Sequence, residues 1–268
     1  MIQAMRTHDY LARIGVDANA DAAELLRRLH VAHRETFLFE NLTIQNGGAI
    51  SLALDDLQRK FLDEGRGGYC FEHNTLFASA LRDLGFAPVT LLGRVRRGPP
   101  ERWCRTHMVL RVAIGAEVWL ADVGFGGVGL LEPIPLRSGA ASMQGGLEYA
   151  LRKEEGLWVL SMRDAERTID LYEFSEDPQT AWDVEVANHF TSTHPESVFR
   201  RTLTIQSARR AERVILRNDA VSRYRDGRLH EEALARARLA PLARELFGID
   251  LADGPFVFDE QSDALARR

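Results

Sequence analysis

Cysteine is scarce. Only Cys70 and Cys104 stand in 268 residues, 34 positions apart. Such a pair gives no CxxC, no zinc-ligand set and no disulfide framework, which points to a reducing compartment. No uninterrupted apolar run is long enough to cross a bilayer. The opening Met-Ile-Gln-Ala-Met-Arg-Thr-His-Asp-Tyr lacks the apolar core of a secretory signal. Excess positive charge is also missing: the net charge is −5, so the chain as a whole is no general nucleic-acid binder. There is no low-complexity tract and no internal repeat. These absences predict a cytoplasmic protein with neither nucleic-acid nor membrane partners. What remains is globular material, 45% hydrophobic and 27% charged, enough for a large core.

Helical signals come first. Asp21 with Glu24 three residues on marks a helix N-terminus ahead of Leu25, Leu26, Leu29 and Val31. Residues 55–64 predict a second helix, with Leu57 and Phe61 at an i, i+4 spacing. A third starts near Cys70, buries Phe77, Leu81 and Leu84, and stops at Gly85. The period then changes. Residues 89–95, 108–114, 118–123, 158–162 and 168–174 read as strands. Gly and Pro crowd residues 124–139, which predicts a loop, and Pro178 opens a helix running to about Phe190. Short strands follow at 203–205, 213–216 and 221–225, with Asp226-Gly227 as a hairpin turn. A last helix spans 241–247 and ends at Gly248. The expected class is α+β in three units: helical over 1–86, β over 87–195, and a smaller α/β unit over 196–268.

Cys70 lies in Arg66-Gly67-Gly68-Tyr69-Cys70-Phe71-Glu72-His73-Asn74, where a Gly-Gly turn runs into a helix. Unpaired N–H groups and the positive dipole end at a helix start stabilise a thiolate. A packed structural thiol is the competing reading. Cys104, beside Trp103, has no such setting and reads as a bystander.

A nucleophilic cysteine needs a base, and the base needs an orienting group. Eight histidines compete for the role. Residues 106–114 alternate, with Met108, Leu110, Val112 and Ile114 on one face and His107 with Val109 on the other. If Gly115-Ala116 is a two-residue turn, paired residue numbers sum to 231. Val109 then opposes Asp122, His107 opposes Gly124, and His107 and Asp122 are diagonal neighbours on one face. A one-residue slip would separate them. A carboxylate in a strand of Val, Trp, Leu and Ala is costly unless paired. The chemistry that follows is proton transfer from Cys70 to His107, with Asp122 holding the ring, and attack of the thiolate on an acyl carbonyl. His73, one helical turn from Cys70, is the rival base. His30 and His33 have a possible metal-ligand spacing, but no carboxylate or cysteine pattern accompanies them. They predict a solvated helix face, and no metal is expected.

The chain resembles the arylamine N-acetyltransferases. The resemblance rests on Phe39-Glu40-Asn41-Leu42, then residues 66–72, Thr106-His107-Met108, Ala121 to Gly127, and Asn188 through Thr191-Ser192-Thr193-His194-Pro195 to Phe199, in that order. It implies a helical bundle, a central antiparallel β-barrel and an α/β lid on a cysteine-protease/transglutaminase-like core. It implies acetyl-coenzyme A as acyl donor, aromatic amines or hydrazines as acceptors, and Cys70, His107 and Asp122 as the triad. It further implies an Arg66–Glu40 ion pair beneath the site and an acceptor pocket of Phe125, Gly127, Phe39 and Val95. Gly126 is the implied coenzyme contact. Leu38 departs from the proline usual before Phe-Glu-Asn-Leu. Amide synthases that close macrocyclic polyketides share this triad and fold. Cysteine hydrolases, transglutaminase-like enzymes and a silent ligand-binding protein stay open too. Residues 200–228 hold nine arginines against three acids, a solvated surface or an attraction for coenzyme A phosphates. Gly126-Gly127 resembles no Walker loop, which argues against ATP.

Overall fold

The Asp21 side chain accepts a hydrogen bond from the Glu24 N–H at 3.0 Å and starts α2 (Ala22–Thr36), as the Asp–Glu spacing predicts. The structure, a computed structural model, describes residues 4–251 and 256–259. The first three residues of the opening stretch, and residues 252–255 and 260–268 of the third expected unit, lie outside the described residues. Before α2, α1 (Thr7–Ile14) has no side-chain cap, and nothing in the sequence pattern flags it. After α2 come β1 (Phe39–Glu40), the single-turn α3 (Leu42–Gln45), and α4 (Leu54–Gln58). A widened π-turn over Arg59–Asp63 completes the stretch expected as one helix.

The central helix α5 (Cys70–Asp83) begins at the nucleophile candidate. Glu72 accepts the Tyr69 N–H at 3.0 Å, satisfying one of the donors that a helix start leaves open. The preceding glycines serve closeness rather than a turn. A β-carbon on Gly67 would stand 1.6 Å from the Leu38 carbonyl oxygen. That oxygen accepts the Gly68 N–H at 3.3 Å, and the Gly68 carbonyl accepts from Glu40 at 2.8 Å. The start of α5 is thereby sewn to β1.

The β unit contains β2 (Pro88–Val95), β3 (Arg105–Ile114), β4 (Glu117–Ala121), β5 (Ile134–Pro135), β6 (Ala141–Gln144), β7 (Leu147–Glu154), β8 (Leu157–Arg163) and β9 (Thr168–Phe174). They form one antiparallel sheet in the order β5-β4-β3-β2-β9-β8-β7-β6, a nearly closed barrel. Strands β6 and β7, absent from the sequence reading, meet across Gly145-Gly146, both at positive φ. The next helix, α6 (Ala181–Thr193), starts three residues after Pro178 and runs past Phe190. Thr180 and Asp183 cap it reciprocally, so this box and not the proline supplies partners for its first N–H groups.

Past α7 (Val198–Arg201), strands β10 (Thr204–Ala208), β11 (Arg213–Arg217), β12 (Ala220–Arg225) and β13 (Arg228–Ala233) lead to α8 (Leu239–Phe247). The sheet order is β1-β10-β11-β12-β13, so β1 of the N-terminal part forms its edge. Asp226 and Gly227 both take positive φ in the hairpin between β12 and β13, as the Asp-Gly pair predicts.

Strand β3 separates two cores. Met108, Leu110 and Val112 pack with the helices around Phe71, Phe77 and Leu81. Val109, on the other face, packs inside the barrel with Leu91, Leu120 and Leu160. Burial on both faces fixes the register, because a one-residue slip would exchange His107 with Met108.

Candidate active site

Strands β3 and β4 pair Ile114 with Glu117 through to Leu110 with Ala121, so partner numbers sum to 231, as the Gly115-Ala116 turn requires. The ladder stops at Ala121. Val109 and Asp122 therefore do not pair across strands as the extrapolated register has them, because the chain turns off toward α5. The carboxylate still reaches the expected ring: Asp122 Oδ2 accepts from His107 Nε2 at 2.8 Å. A carboxylate that only accepts fixes Nε2 as the protonated nitrogen and leaves Nδ1 for the sulfur. The Cys70 thiol donates to the Thr106 carbonyl oxygen at 3.7 Å, and its sulfur interacts electrostatically with the neighbouring His107 ring. All three residues are buried.

Burial alone would push His107 toward its neutral form, but the Asp122 charge, the hydrogen bond to it and the Cys70 contact outweigh burial. The imidazole is raised to about 10. Asp122 is likewise pushed up by burial, yet held down to about 2 by His107, the Gly124 N–H and Asn74. The two shifts have the same origin, an imidazolium facing a carboxylate away from water.

Two residues that sequence reasoning passed over set this pair in place. Asn74 donates to Asp122 Oδ1 at 3.1 Å and to the Met108 carbonyl at 2.8 Å, and its own oxygen accepts the Val123 N–H at 3.2 Å. It sits four residues after Cys70, on the same helix face, and that spacing was the available signal. His30 accepts the Asp122 N–H on Nε2 at 3.0 Å and donates from Nδ1 to the Leu131 carbonyl at 2.8 Å. No local pattern could have revealed this, since His30 is 92 residues from Asp122.

The other histidines correct one expectation and tie up the rival base. His30 and His33 are fully buried, not on a solvated helix face. The rival base, His73, is tied up: its Nε2 donates to the Leu38 carbonyl at 3.0 Å. His73 Nδ1 must then accept from His33 Nε2 at 2.9 Å, and His33 Nδ1 from the Tyr10 hydroxyl at 2.9 Å. Burial, then the Arg34 charge, pushes His73 down to about 3, so this relay is neutral. Among the described residues no group of three or more His, Cys, Asp or Glu is arranged to hold a metal ion.

The loop after Asp122 is held from inside by two buried guanidinium groups. Arg34 donates to the Val123 carbonyl at 3.3 Å and to that of Gly126. Arg213 donates to the carbonyls of Gly127 at 3.1 Å, Gly129 at 2.8 Å and Gln144 at 2.9 Å, and to the Tyr149 hydroxyl. Burial and the nearby Arg213 charge lower Arg34 to about 10. Gly127 also donates its N–H to Gln206 Oε1 at 2.6 Å.

A cavity of about 930 Å³ opens onto Cys70 and His107, walled by Phe39, Val95, Phe125 and residues of β8, β9 and the C-terminal sheet. Phe125 packs edge-on against the His107 ring, with centroids 5.0 Å apart. Gly126 and Gly127 are not among the lining residues; their carbonyls face Arg34 and Arg213. Cys104 is exposed at the rim. Beneath the site Arg66 pairs with Glu40 at 2.8 Å, and Lys60 joins in, 2.7 Å from Glu72.

The model of an N-acetyltransferase family matches residues 23–256, a span containing Glu40, Arg66, Cys70, His107 and Asp122. The chain belongs to the arylamine N-acetyltransferase family. An arylamine N-acetyltransferase/N-hydroxyarylamine O-acetyltransferase of Salmonella typhimurium is 35% identical, with 94% of this chain and 92% of that one covered. The arylamine N-acetyltransferase crystal structure from Nocardia farcinica matches with a TM-score of 0.86 at 36% identity, over 92% of this chain and 90% of that one. The Mycobacterium marinum arylamine N-acetyltransferase, solved in complex with CoA, matches at 0.85 and 32% identity, over 91% and 92%. The family fold expected from the sequence, bundle, barrel and α/β lid, is the fold observed.

Proposed function

We propose that this protein is an acetyl-coenzyme A-dependent N-acetyltransferase of arylamines or arylhydrazines, working by double displacement through acetyl-Cys70. The observation that carries the reading is the buried line from Cys70 through His107 to Asp122, ending in the 2.8 Å Nε2–Oδ2 contact, at the floor of an aromatic-walled cavity. Family membership supports the acyl donor and the acceptor class.

In the first half-reaction the Cys70 proton resides on His107 and Asp122 balances the imidazolium. The Cys70 sulfur attacks the acetyl carbonyl carbon of the thioester. A new C–S bond forms, the carbon–sulfur bond to coenzyme A breaks, and the departing thiolate takes the proton from His107. In the second half, His107 accepts a proton from the amine as its nitrogen attacks acetyl-Cys70. The amide leaves and Cys70 is regenerated. Phe125, Phe39 and Val95 present apolar walls to a flat acceptor. The reading includes a cytoplasmic setting, supported by two unpaired thiols.

Amide synthases and cysteine hydrolases would use the same triad, but the relatives named above are arylamine N-acetyltransferases. Incubating the protein with acetyl-coenzyme A alone should add one acetyl mass. Absence of that adduct, or its persistence in Cys70→Ala, sinks the proposal.

A further inference from the structure

Five arginines line the cavity: Arg96, Arg97, Arg102, Arg167 and Arg217. Three of them already have acidic partners. Arg96 lies 2.7 Å from Glu154, 2.9 Å from Asp170 and 2.9 Å from Glu173. Arg102 lies 3.8 Å from Glu196, and Arg167 lies 3.9 Å from Asp164. Arg97 and Arg217 form no ion pair and no side-chain hydrogen bond among the described residues.

The two free cations reach the cavity from different parts of the fold. Arg97 follows the end of β2, on the loop that leads to β3, while Arg217 ends β11 of the C-terminal sheet. Burial and the charge of Arg97 both disfavour the charged form of Arg217. Glu231 is the acid that acts on it in compensation. That carboxylate accepts the Ser222 hydroxyl at 2.8 Å and makes no ion pair with Arg217. Two like-charged guanidinium groups line the same cavity, Arg217 half-buried and Arg97 exposed, so an anion in the cavity would find two cationic partners.

The arginine-rich stretch at 200–228 now resolves into separate fates. Arg213 is consumed inside the fold. Arg201, Arg210, Arg223 and Arg225 face Glu196, Glu132 and Glu212. Of that stretch, Arg217 alone lines the cavity.

We infer that Arg97 and Arg217 form a two-sided clamp for the phosphate groups of the acyl donor, bridging the barrel and the C-terminal sheet, and that they select a nucleotide-bearing thioester over a bare pantetheine one. This rests on the transferase reading for the donor's identity. Forked guanidinium donors suit phosphate oxygens, and partial exclusion from water strengthens each contact.

The test compares acetyl-coenzyme A with S-acetylpantetheine, which carries the same thioester without the charged end. Arg97→Gln and Arg217→Gln should each raise KM for acetyl-coenzyme A about tenfold, the loss of one charge-assisted contact. Both should leave kcat, and all kinetics with S-acetylpantetheine, within about twofold of the unsubstituted protein, since that donor never meets the clamp. Arg217→Lys should recover part of the loss by keeping the charge. Turnover of S-acetylpantetheine also shows that each variant is folded. Equal losses with both donors, or no loss with either, overturn the clamp while leaving the transferase reading intact. If the unsubstituted protein accepts an acetyl group from neither donor, the transferase reading itself fails and the clamp with it.

Discussion

Gly124 lies so close to Cys70 that a β-carbon on it would stand 2.8 Å from both the α-carbon and the carbonyl oxygen of that cysteine, and 2.5 Å from Asn74 Nδ2. The loop leaving β4 is pressed onto the first turn of α5, and this contact brings Asp122 and Cys70 to the same ring. Gly124→Ala should push the loop away from backbone that cannot give. A displacement of about 1 Å corresponds to roughly a 10²-fold loss in rate. The rate of Cys70 acetylation, measured by mass in a single turnover, checks this. An unchanged rate would show that the contact does not position Cys70, His107 and Asp122 for the proposed reaction.

Asn74→Ala should remove the Asn74 partner of the Met108 carbonyl and of the Val123 N–H, and leave Asp122 Oδ1 with the Gly124 N–H alone. Each stranded group costs about 1–3 kcal/mol. Urea denaturation should show a stability loss of at least ~2 kcal/mol, accompanied by slower acetylation. A variant as stable as the parent would remove Asn74 from the account.

Asp122→Asn keeps the shape and removes the charge. Burial then dominates at His107 and lowers it, so the ring should be neutral at pH 7, as an NMR titration of the ring would show. Acetylation should fall on the order of 10⁴-fold, the scale for a triad carboxylate replaced by its amide.

The same pair makes stability depend on pH in a defined direction. Asp122 is lowered from 3.8 to about 2, so its contribution is present above pH 3.8 and is lost as pH falls through about 2. His107 is raised from 6.5 to about 10, so its contribution is full below pH 6.5 and is lost as pH rises through about 10. Both act fully only between those inner limits. The gap in denaturation midpoint between the parent and an Asp122→Asn/His107→Gln variant should be largest there and shrink on either side. A gap growing steadily from pH 7 to 10 would contradict the assignment.

Arg213→Met should remove the guanidinium from the carbonyls of Gly127 and Gln144, and leave that of Gly129 with the Tyr149 hydroxyl alone. We expect a loss of ~2–4 kcal/mol in stability. We also expect a higher KM for the amine, because Phe125 depends on the loop these carbonyls anchor. A stability loss with the amine KM unchanged would confine Arg213 to a packing role.

Legibility followed the range of the interaction involved. The β3–β4 register could be read because it depends on a turn of two residues and on alternation within one strand. The α2 start was legible for the same reason, a cap acting across three residues. The hairpin of β6 and β7 was not assigned, although its Gly145-Gly146 turn stands in the sequence. The burial of His30 and His33 was misjudged because it depends on what covers α2, and that cover comes from α1, α5 and the loop near Leu131.

By itself the sequence determined the longer helices, most of the barrel strands, the family blocks, and the placing of His107 and Asp122 on one side of a hairpin, since local periodicity and turn chemistry act over a few residues. Only the tertiary structure decided which groups serve that pair and which arginines stay free. His30, Asn74, Arg34 and Arg213 reach the site across tens of residues, through hydrogen bonds whose partners are mostly backbone atoms. A backbone atom carries no side-chain identity, so no pattern of letters records such a bond until the chain is folded.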